Sequence, residues 1–156
     1  MELEIVKQLA EAELAKQNLF DWKFKFDNSK RRFGLCSFST KTISLSRTLA
    51  LLNSEIDIID TIKHEVAHAI VGSGNGHNHI WKKKAVELGC SEKRCYESKF
   101  VQKPKGIYIY ECSNCKQRIE RFKQSQKDCA CATCCRKFNN NKWSNKYLLK
   151  LVEVNR

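Results

Sequence analysis

Residues 60–81 of this 156-residue chain read DTIKHEVAHAIVGSGNGHNHIW, and this stretch decides how the fold is interpreted. It contains an H-E-x-x-H motif that runs from His64 to His68. Helical residues four apart lie one turn above each other, so both imidazoles can bind one Zn²⁺ at ~2.0–2.1 Å. Glu65 lies about 100° round the helix and can act as general base on a zinc-activated water. The alternative, two surface histidines, is disfavoured because the flanks of the motif are apolar.

A catalytic zinc needs a third protein ligand and one open position. The chain has only two further histidines, His77 and His79, and both follow a glycine-rich loop that can turn the chain back towards the helix. Glu87, on a predicted following helix, is another candidate for the third ligand. Where the metzincin pattern requires Gly and His, the sequence has Val71 and Gly74, which excludes that class.

Hydrophobic periodicity predicts an α+β chain. The predicted elements are a helix over 2–18, short strands over 22–26, 33–38 and 42–45, the motif helix starting at Ser54 and ending at Gly72, a helix over 79–88, and a hairpin of 107–110 with 118–122. The three short strands are expected to form a small antiparallel sheet. Ser54 and Asp57 form an approximate capping box at the start of the motif helix. The predicted buried positions of that helix are Ile56, Ile59, Ile62, Val66, Ala69 and Ile70.

Two C-x-x-C knuckles predict a four-thiolate structural zinc site, or zinc ribbon. The predicted ligands are Cys112, Cys115, Cys131 and Cys134. The chain has nine cysteines and no export signal, which favours metal ligation over disulfides. Cys129 or Cys135 could replace one ligand, because both adjoin the second knuckle. A closed site of four thiolates supports folding and leaves no position for chemistry.

The net charge of +12 is concentrated in the last third of the chain. Residues 1–98 carry a net +2 and residues 99–156 a net +10, so we predict a metal-binding domain followed by a basic ribbon module. Such a module is expected to bind nucleic acid, with cations on phosphates and aromatic rings on unpaired bases. The candidate contacts are Lys116, Arg118, Arg121, Lys123, Arg136, Lys137, Lys142 and Trp143.

Residues 60–69, followed by Gly76-His77 and by Trp81 four residues later, resemble the SprT-like zinc metalloprotease family, which includes Spartan. The resemblance continues upstream in Asp21-Trp22, 32–36 and 43–47, and downstream into the cysteine-rich tail. It implies a zincin-like SprT domain followed by a zinc ribbon. It also implies that His77 is the third ligand, which leaves His79 as a residue that starts a helix or contacts substrate.

The resemblance further implies a zinc metalloendopeptidase that cleaves proteins crosslinked to, or tightly bound on, DNA. We therefore expect one catalytic and one structural Zn²⁺, DNA-bound proteins as substrates, and single-stranded or junction DNA as partner. The alternative is a non-catalytic zinc-ribbon protein that binds nucleic acid, with a structural or vestigial H-E-x-x-H zinc. A fourth protein ligand, such as His79, would favour that alternative, and binding to an acidic protein is a third reading of the tail.

No apolar run approaches the ~18 residues of a membrane span, and the first twenty residues lack the apolar core of a signal peptide. We therefore expect an intracellular, soluble and monomeric protein, cytoplasmic, or nuclear if it acts in a eukaryote, with no membrane partner.

Overall fold

The computed structural model describes residues 1–92 and 101–155 and has a mixed α+β architecture with small sheets. The chain divides into two compact units, Met1–Pro104 and Lys105–Arg156. The domain boundary predicted between residues 98 and 99, and Cys95, lie outside the described residues. No helix in the described ranges is long and apolar enough to cross a membrane.

The first unit combines helices with one small sheet, and its elements follow the predicted order. They are α1 (Leu3–Lys16), β1 (Lys23–Asp27), β2 (Gly34–Ser37), β3 (Thr42–Ser46), α2 (Arg47–Leu52), α3 (Glu55–Val71) and α4 (His79–Glu87). The short helix α2 was not predicted. Its N-cap, Ser46, is the last residue of β3, and the Ser46 hydroxyl accepts a hydrogen bond from the Leu49 backbone N–H.

The sheet of the first unit is mixed, in the order β1-β3-β2, so the expectation of an antiparallel sheet is wrong for β1. β2 and β3 form the expected antiparallel hairpin, whereas β1 runs parallel to β3, with Phe24 opposite Ile43. β2 runs in the opposite direction to β1 but does not pair with it, because β3 lies between the two strands. The connection from β1 to β2 contacts the end of β3, where the Ser46 N–H donates to the Phe33 carbonyl at 2.7 Å and the Ser46 hydroxyl donates to the Ser29 carbonyl at 2.5 Å.

Helix α3 begins at the predicted capping box, which the structure confirms. The Ser54 hydroxyl accepts from the Asp57 N–H, and the Asp57 carboxylate accepts from the Ser54 N–H. The predicted buried side is wrong at Ile56, which is 79% exposed, while Ile58 is fully buried. Isoleucines occupy both the exposed face and the buried face of the first turns of α3. Periodicity alone therefore did not identify which isoleucine packs into the core.

The core of the first unit joins α3 to the sheet and to α1. Its fully or almost fully buried side chains include Val6, Ile43, Leu45, Ile58, Ile62 and Val66. This packing holds the C-terminal half of α3, which carries the histidine motif, against β2 and β3. The core cluster around these residues is apolar, so burial of apolar surface stabilises this unit.

The second unit is a three-stranded antiparallel sheet with a short helix. Its elements are β4 (Tyr108–Cys112), β5 (Arg118–Arg121), α5 (Ala132–Phe138), a 3₁₀ turn (Asn145–Tyr147) and β6 (Leu149–Val154), and the strand order is β5-β4-β6. The predicted hairpin of β4 and β5 is confirmed, with Tyr108 opposite Arg121. Neither α5 nor β6 was predicted.

Candidate metal centres

Three histidine side chains converge at the C-terminal end of α3. The chain leaves the helix at Gly72, whose positive φ of 86° lets the following loop turn back towards the helix. His77 in that loop thereby places its Nε2 3.0 Å from Nε2 of His64 and 3.1 Å from Nε2 of His68. A tetrahedral zinc with bonds of ~2.0–2.1 Å holds its ligand nitrogens about 3.3 Å apart. The spacing and chemistry of these donors therefore fit one zinc ion.

The other two candidates for the third ligand are not part of this group. His79 is the first residue of α4 and is exposed, and the Glu87 carboxylate pairs with the Lys84 ammonium. Within residues 1–92 and 101–155, the group consists of His64, His68 and His77. Three protein ligands leave a fourth tetrahedral position for water or substrate, as in catalytic zinc sites.

Trp81 forms a platform against which all three imidazoles pack. Its side chain is fully buried, and its ring centroid lies 4.6 Å from that of His64, 5.1 Å from that of His68 and 4.5 Å from that of His77. The Asn78 side chain caps α4 and accepts hydrogen bonds from the backbone of its first turn, including the Trp81 N–H. The indole Nε1 is buried without a hydrogen-bond partner among the described residues. The indole therefore supports the three imidazoles through the packing of its ring.

His64 and His68 are held in the neutral form that metal binding requires. Burial, together with charge repulsion from the neighbouring His68 and His77, lowers the pKa of His64 to about 3. Burial also lowers the pKa of His68 to about 4, again with a contribution from His77. Both rings are consequently unprotonated at neutral pH and can donate a lone pair to a cation.

Glu65 is turned away from the ligand face of α3 and towards β2. It is only 8% exposed, and burial raises its pKa to about 7, although a hydrogen bond from the Cys36 backbone N–H and the positive charge of Arg32 act in the opposite direction. A carboxyl group with a pKa near neutrality can both accept and donate a proton. This is the property that a general base next to a metal centre needs.

A cavity of about 380 Å³ opens over these groups. Strand β2 and the following Phe38 form one wall, α3 contributes the motif side chains, and the loop with His77 forms the opposite wall. Cys36 lies on the β2 wall, where burial, with a further contribution from Glu65, raises the pKa of its thiol to about 12. The thiol is therefore protonated at neutral pH. The cleft gives the histidines and Glu65 a common access to solvent.

Four cysteines form a second candidate metal centre in the second unit. The Sγ atoms of Cys112 and Cys134 are 3.8 Å apart, as are those of Cys115 and Cys131. All four Sγ atoms lie within 4.8 Å of one another. Tetrahedral zinc with Zn–S bonds of ~2.3 Å holds its sulfurs about 3.8 Å apart. The cluster is therefore compatible with a structural zinc of the ribbon type.

The two cysteines that could have replaced a ligand lie outside this cluster. The Cys129 Sγ contacts the Ser125 hydroxyl at 3.2 Å and the Arg121 guanidinium at 3.3 Å. Cys135 is buried in α5 directly after Cys134, and its Sγ is not in the group of four.

The predicted nucleic-acid contacts fall into two sets. On the sheet, Lys116 and Arg118 face Glu111 at 3.6 and 3.8 Å, and Arg118 also faces Glu153 at 3.5 Å. Arg121 is placed over the Tyr110 ring.

The second set forms what we call the α5 surface, made of α5 and the loop after it. It consists of Arg136, Lys137, Phe138, Lys142 and Trp143. Phe138 is 55% exposed and Trp143 is 59% exposed. No ion pair among the described residues involves the three cations of this surface, so no acid in that part of the chain neutralises their charge. Lys123 is exposed but does not belong to either set.

Comparison with known families agrees with the architecture of the first unit. Residues 3–100 match the SprT-like family. The chain belongs to the SprT-like family. This family is associated with metallopeptidase-type domains of the zincin kind, and the match includes the histidine motif, His77 and Trp81. No curated protein matches the chain significantly. The SprT-like match ends before the cysteine cluster, which lies wholly in the second unit.

Sequence reasoning did not identify the contacts that β2 makes with Glu65. Gly34 and Cys36 lie in a predicted strand, but nothing in their spacing relates them to a residue about thirty positions later. The packing of Trp81 on the histidines was also missed, although the position of this aromatic residue belongs to the SprT-like pattern.

Proposed function

We propose that this SprT-like protein is a zinc metalloendopeptidase that cleaves proteins crosslinked to, or tightly bound on, DNA. One observation carries the hydrolytic part: the Nε2 atoms of His64, His68 and His77 converge in the cleft that the buried Glu65 also lines. Three imidazole donors in one cleft with a carboxyl group that does not belong to the ligand set are the composition of catalytic zinc sites.

A zinc ion bound by the three histidines would supply Lewis-acid polarisation of a peptide carbonyl and of water. Glu65 acts beside it, because its carboxylate can take a proton from water and return that proton to the departing amine. The Cys36 N–H fixes the orientation of the carboxylate while it does so. The open cleft between β2 and the His77 loop gives a peptide segment access to both groups.

The DNA part of the proposal is supported by the charge and exposed rings of the α5 surface. Its cations can neutralise phosphates, and a stacked base contributes ~1–3 kcal/mol for each aromatic side chain. Bases offer their faces to such rings only where they are unpaired, which favours single-stranded or junction DNA over duplex. The positive charge of the ribbon would thus bring the cleft to proteins that are attached to DNA.

The test of hydrolysis compares the wild type with Glu65→Gln on a protein crosslinked to a single-stranded oligonucleotide. We expect DNA-stimulated cleavage by the wild type and at least ~10²-fold slower cleavage by Glu65→Gln, since the general base is lost. The variant should keep its zinc and its DNA affinity. Glu87→Gln is the matched control, because that acid is exposed and pairs only with Lys84 among the described residues. Absence of cleavage by the wild type with every DNA tested would refute the proposal.

The test of DNA binding compares the two sets of cations. Lys137→Gln should weaken single-strand binding and reduce the slope of log affinity against log salt by ~0.7, because one phosphate contact is lost. Arg118→Gln is the control, because its guanidinium already faces two carboxylates, and it should change the slope less. Trp143→Ala should lower affinity about 5- to 100-fold with little change in the slope. Equal effects of Lys137→Gln and Arg118→Gln would contradict the assignment to the α5 surface.

A further inference from the structure

Strand β2 approaches Glu65 most closely at Gly34. A Cβ atom added to Gly34 would lie 2.5 Å from Oε1, 2.7 Å from Cγ and 2.9 Å from Cδ of Glu65. Real Cβ atoms essentially never come within 3.0 Å of such neighbours. The carboxylate of the proposed general base therefore occupies the space that any other residue at position 34 would fill with its side chain.

The need for glycine at this position does not come from backbone conformation. The glycines with positive φ are Gly72, Gly76 and Gly89, and Gly34 is not among them. Glycine in a strand interior generally costs about 0.5–1 kcal/mol relative to alanine, and it often marks a place where another group approaches the backbone closely. At Gly34 that group is the Glu65 side chain.

β2 fixes the same carboxylate at a second point. Two residues along the strand, the Cys36 backbone N–H acts on the Glu65 carboxylate and favours its charged form, which lowers the pKa of that group. Gly34 and Cys36 lie opposite Leu45 and Ile43 in the same register with β3, and β2 is an edge strand of the described sheet. The strand thus meets the carboxylate with a backbone donor at one residue and with a close contact at the other.

We infer that Gly34 is a positioning residue for Glu65, and that its missing side chain allows the carboxylate to reach the place where it acts on water. The inference rests on the proposed hydrolytic function and adds a residue to it. A methyl group at position 34 would meet the end of a flexible side chain rather than backbone. Glu65 would therefore give way while β2 and the histidine ligands stay in place.

The experiment uses the full-length, zinc-loaded protein and its Gly34→Ala variant. We expect kcat to fall about 10- to 100-fold, KM to stay within about twofold, and zinc content and melting temperature to remain those of the wild type. Gly74→Ala is the matched control, because a Cβ at Gly74 meets no atom within 4 Å and its φ is not positive. Wild-type kcat in Gly34→Ala would overturn the inference, and so would a loss of zinc that accounts for the loss of activity.

A double substitution separates displacement of Glu65 from general damage. Alanine at position 65 removes Cγ, Cδ and Oε1, the atoms that a Cβ at position 34 would meet, so adding Gly34→Ala to Glu65→Ala should lower the remaining kcat less than about twofold. Independent losses that multiply in the double variant would contradict a shared mechanism.

A crystal structure of Gly34→Ala gives a readout that needs no activity. We expect the Glu65 carboxylate to have left the Cys36 N–H, with the backbone of β2 unchanged. This displacement is testable even if the wild type proves inactive, so failure of the proposed function and failure of the inference remain distinguishable. An unmoved carboxylate would overturn the inference.

Discussion

The imidazole rings of His64 and His68 lie where a positive charge is unfavourable. Burial and the neighbouring rings hold their pKa values at about 3 and about 4, far below the ordinary value near 6.5. A lowered pKa favours the neutral form, so protons compete with a metal at these nitrogens only when the pH approaches about 4. Exposed histidines would already be largely protonated at pH 5.5.

This difference predicts an acid-tolerant site. Two ligands with a pKa of 6.5 would lose about 70-fold in zinc affinity between pH 7 and pH 5.5 through proton competition alone. Over the same pH range, we expect protonation of His64 and His68 to lower the zinc affinity less than about fivefold. Competition with a chromophoric chelator at both pH values measures it, and the same titration of His77→Ala corrects for zinc in the ribbon. A decrease near 70-fold would mean that the rings are not shielded as the structure indicates.

A second prediction at this scale concerns Trp81, which packs on all three ligands. Residues that orient ligands typically change metal affinity 10- to 100-fold when they are replaced. We expect Trp81→Leu to weaken zinc binding by about that factor and Trp81→Phe to weaken it less, because a ring remains and the indole N–H has no described partner to lose. Isothermal titration with zinc gives the affinities, and equal effects of the two variants would exclude a platform role.

Residues of the site differ in how far the sequence identifies them. His64, Glu65 and His68 follow from helical spacing, because both ligands and base lie within five residues. His77 is suggested by family resemblance, while spacing alone leaves His79 open. The resemblance includes residues 32–36 but assigns no role to Gly34, since its contact with Glu65 exists only once β2 and α3 have packed together.

The capping box of α3 leads to a prediction about the stability of this helix. The Ser54 hydroxyl accepts from the Asp57 N–H, one of the backbone donors in the first turn of the helix that a cap residue satisfies. Ser54→Ala should therefore lower the free energy of unfolding by ~1 kcal/mol, and Ser54→Asn, which keeps a capping oxygen, should lower it by only a few tenths. Urea unfolding of the zinc-loaded protein measures both. Indistinguishable midpoints for alanine and asparagine would show that the cap does not stabilise the helix.

For the helices and strands, hydrophobic periodicity and the residues that cap helices or form turns indicated where each element lies. They did not indicate the direction in which a strand runs in the sheet. The alternation in β1 predicts a strand, yet its parallel pairing arises because β3 enters the sheet between β1 and β2, which no local pattern indicates. The isoleucines of α3 predict a buried helix without identifying Ile58 over Ile56 as the packed residue. α5 begins directly after the knuckle residue Cys131, where the candidate ligand cysteines obscure any apolar period.

At the scale of the whole molecule, the two units are stabilised in different ways. The first has an extended apolar core around Ile43, Ile58 and Val66. The second has a core cluster of buried Cys112, Cys131 and Cys134, with Tyr147 and Leu149 packed against it. We expect a module of this size, with so few apolar side chains in its core, to depend on a bound metal for folding. We therefore expect the folding of the two units to depend on zinc to different extents.

This asymmetry predicts the result of removing each metal separately. Wild-type protein should contain about two zinc ions per chain, and both His77→Ala and Cys131→Ser should contain about one. Amide spectra should show His77→Ala folded throughout, because the apolar core of the first unit does not depend on its metal. In Cys131→Ser only the signals of the second unit should collapse, since its core consists largely of the ligands themselves. If Cys131→Ser left those signals dispersed, the cysteine cluster would not be the structural centre of the ribbon, and DNA binding through the α5 surface would then survive chelation of zinc.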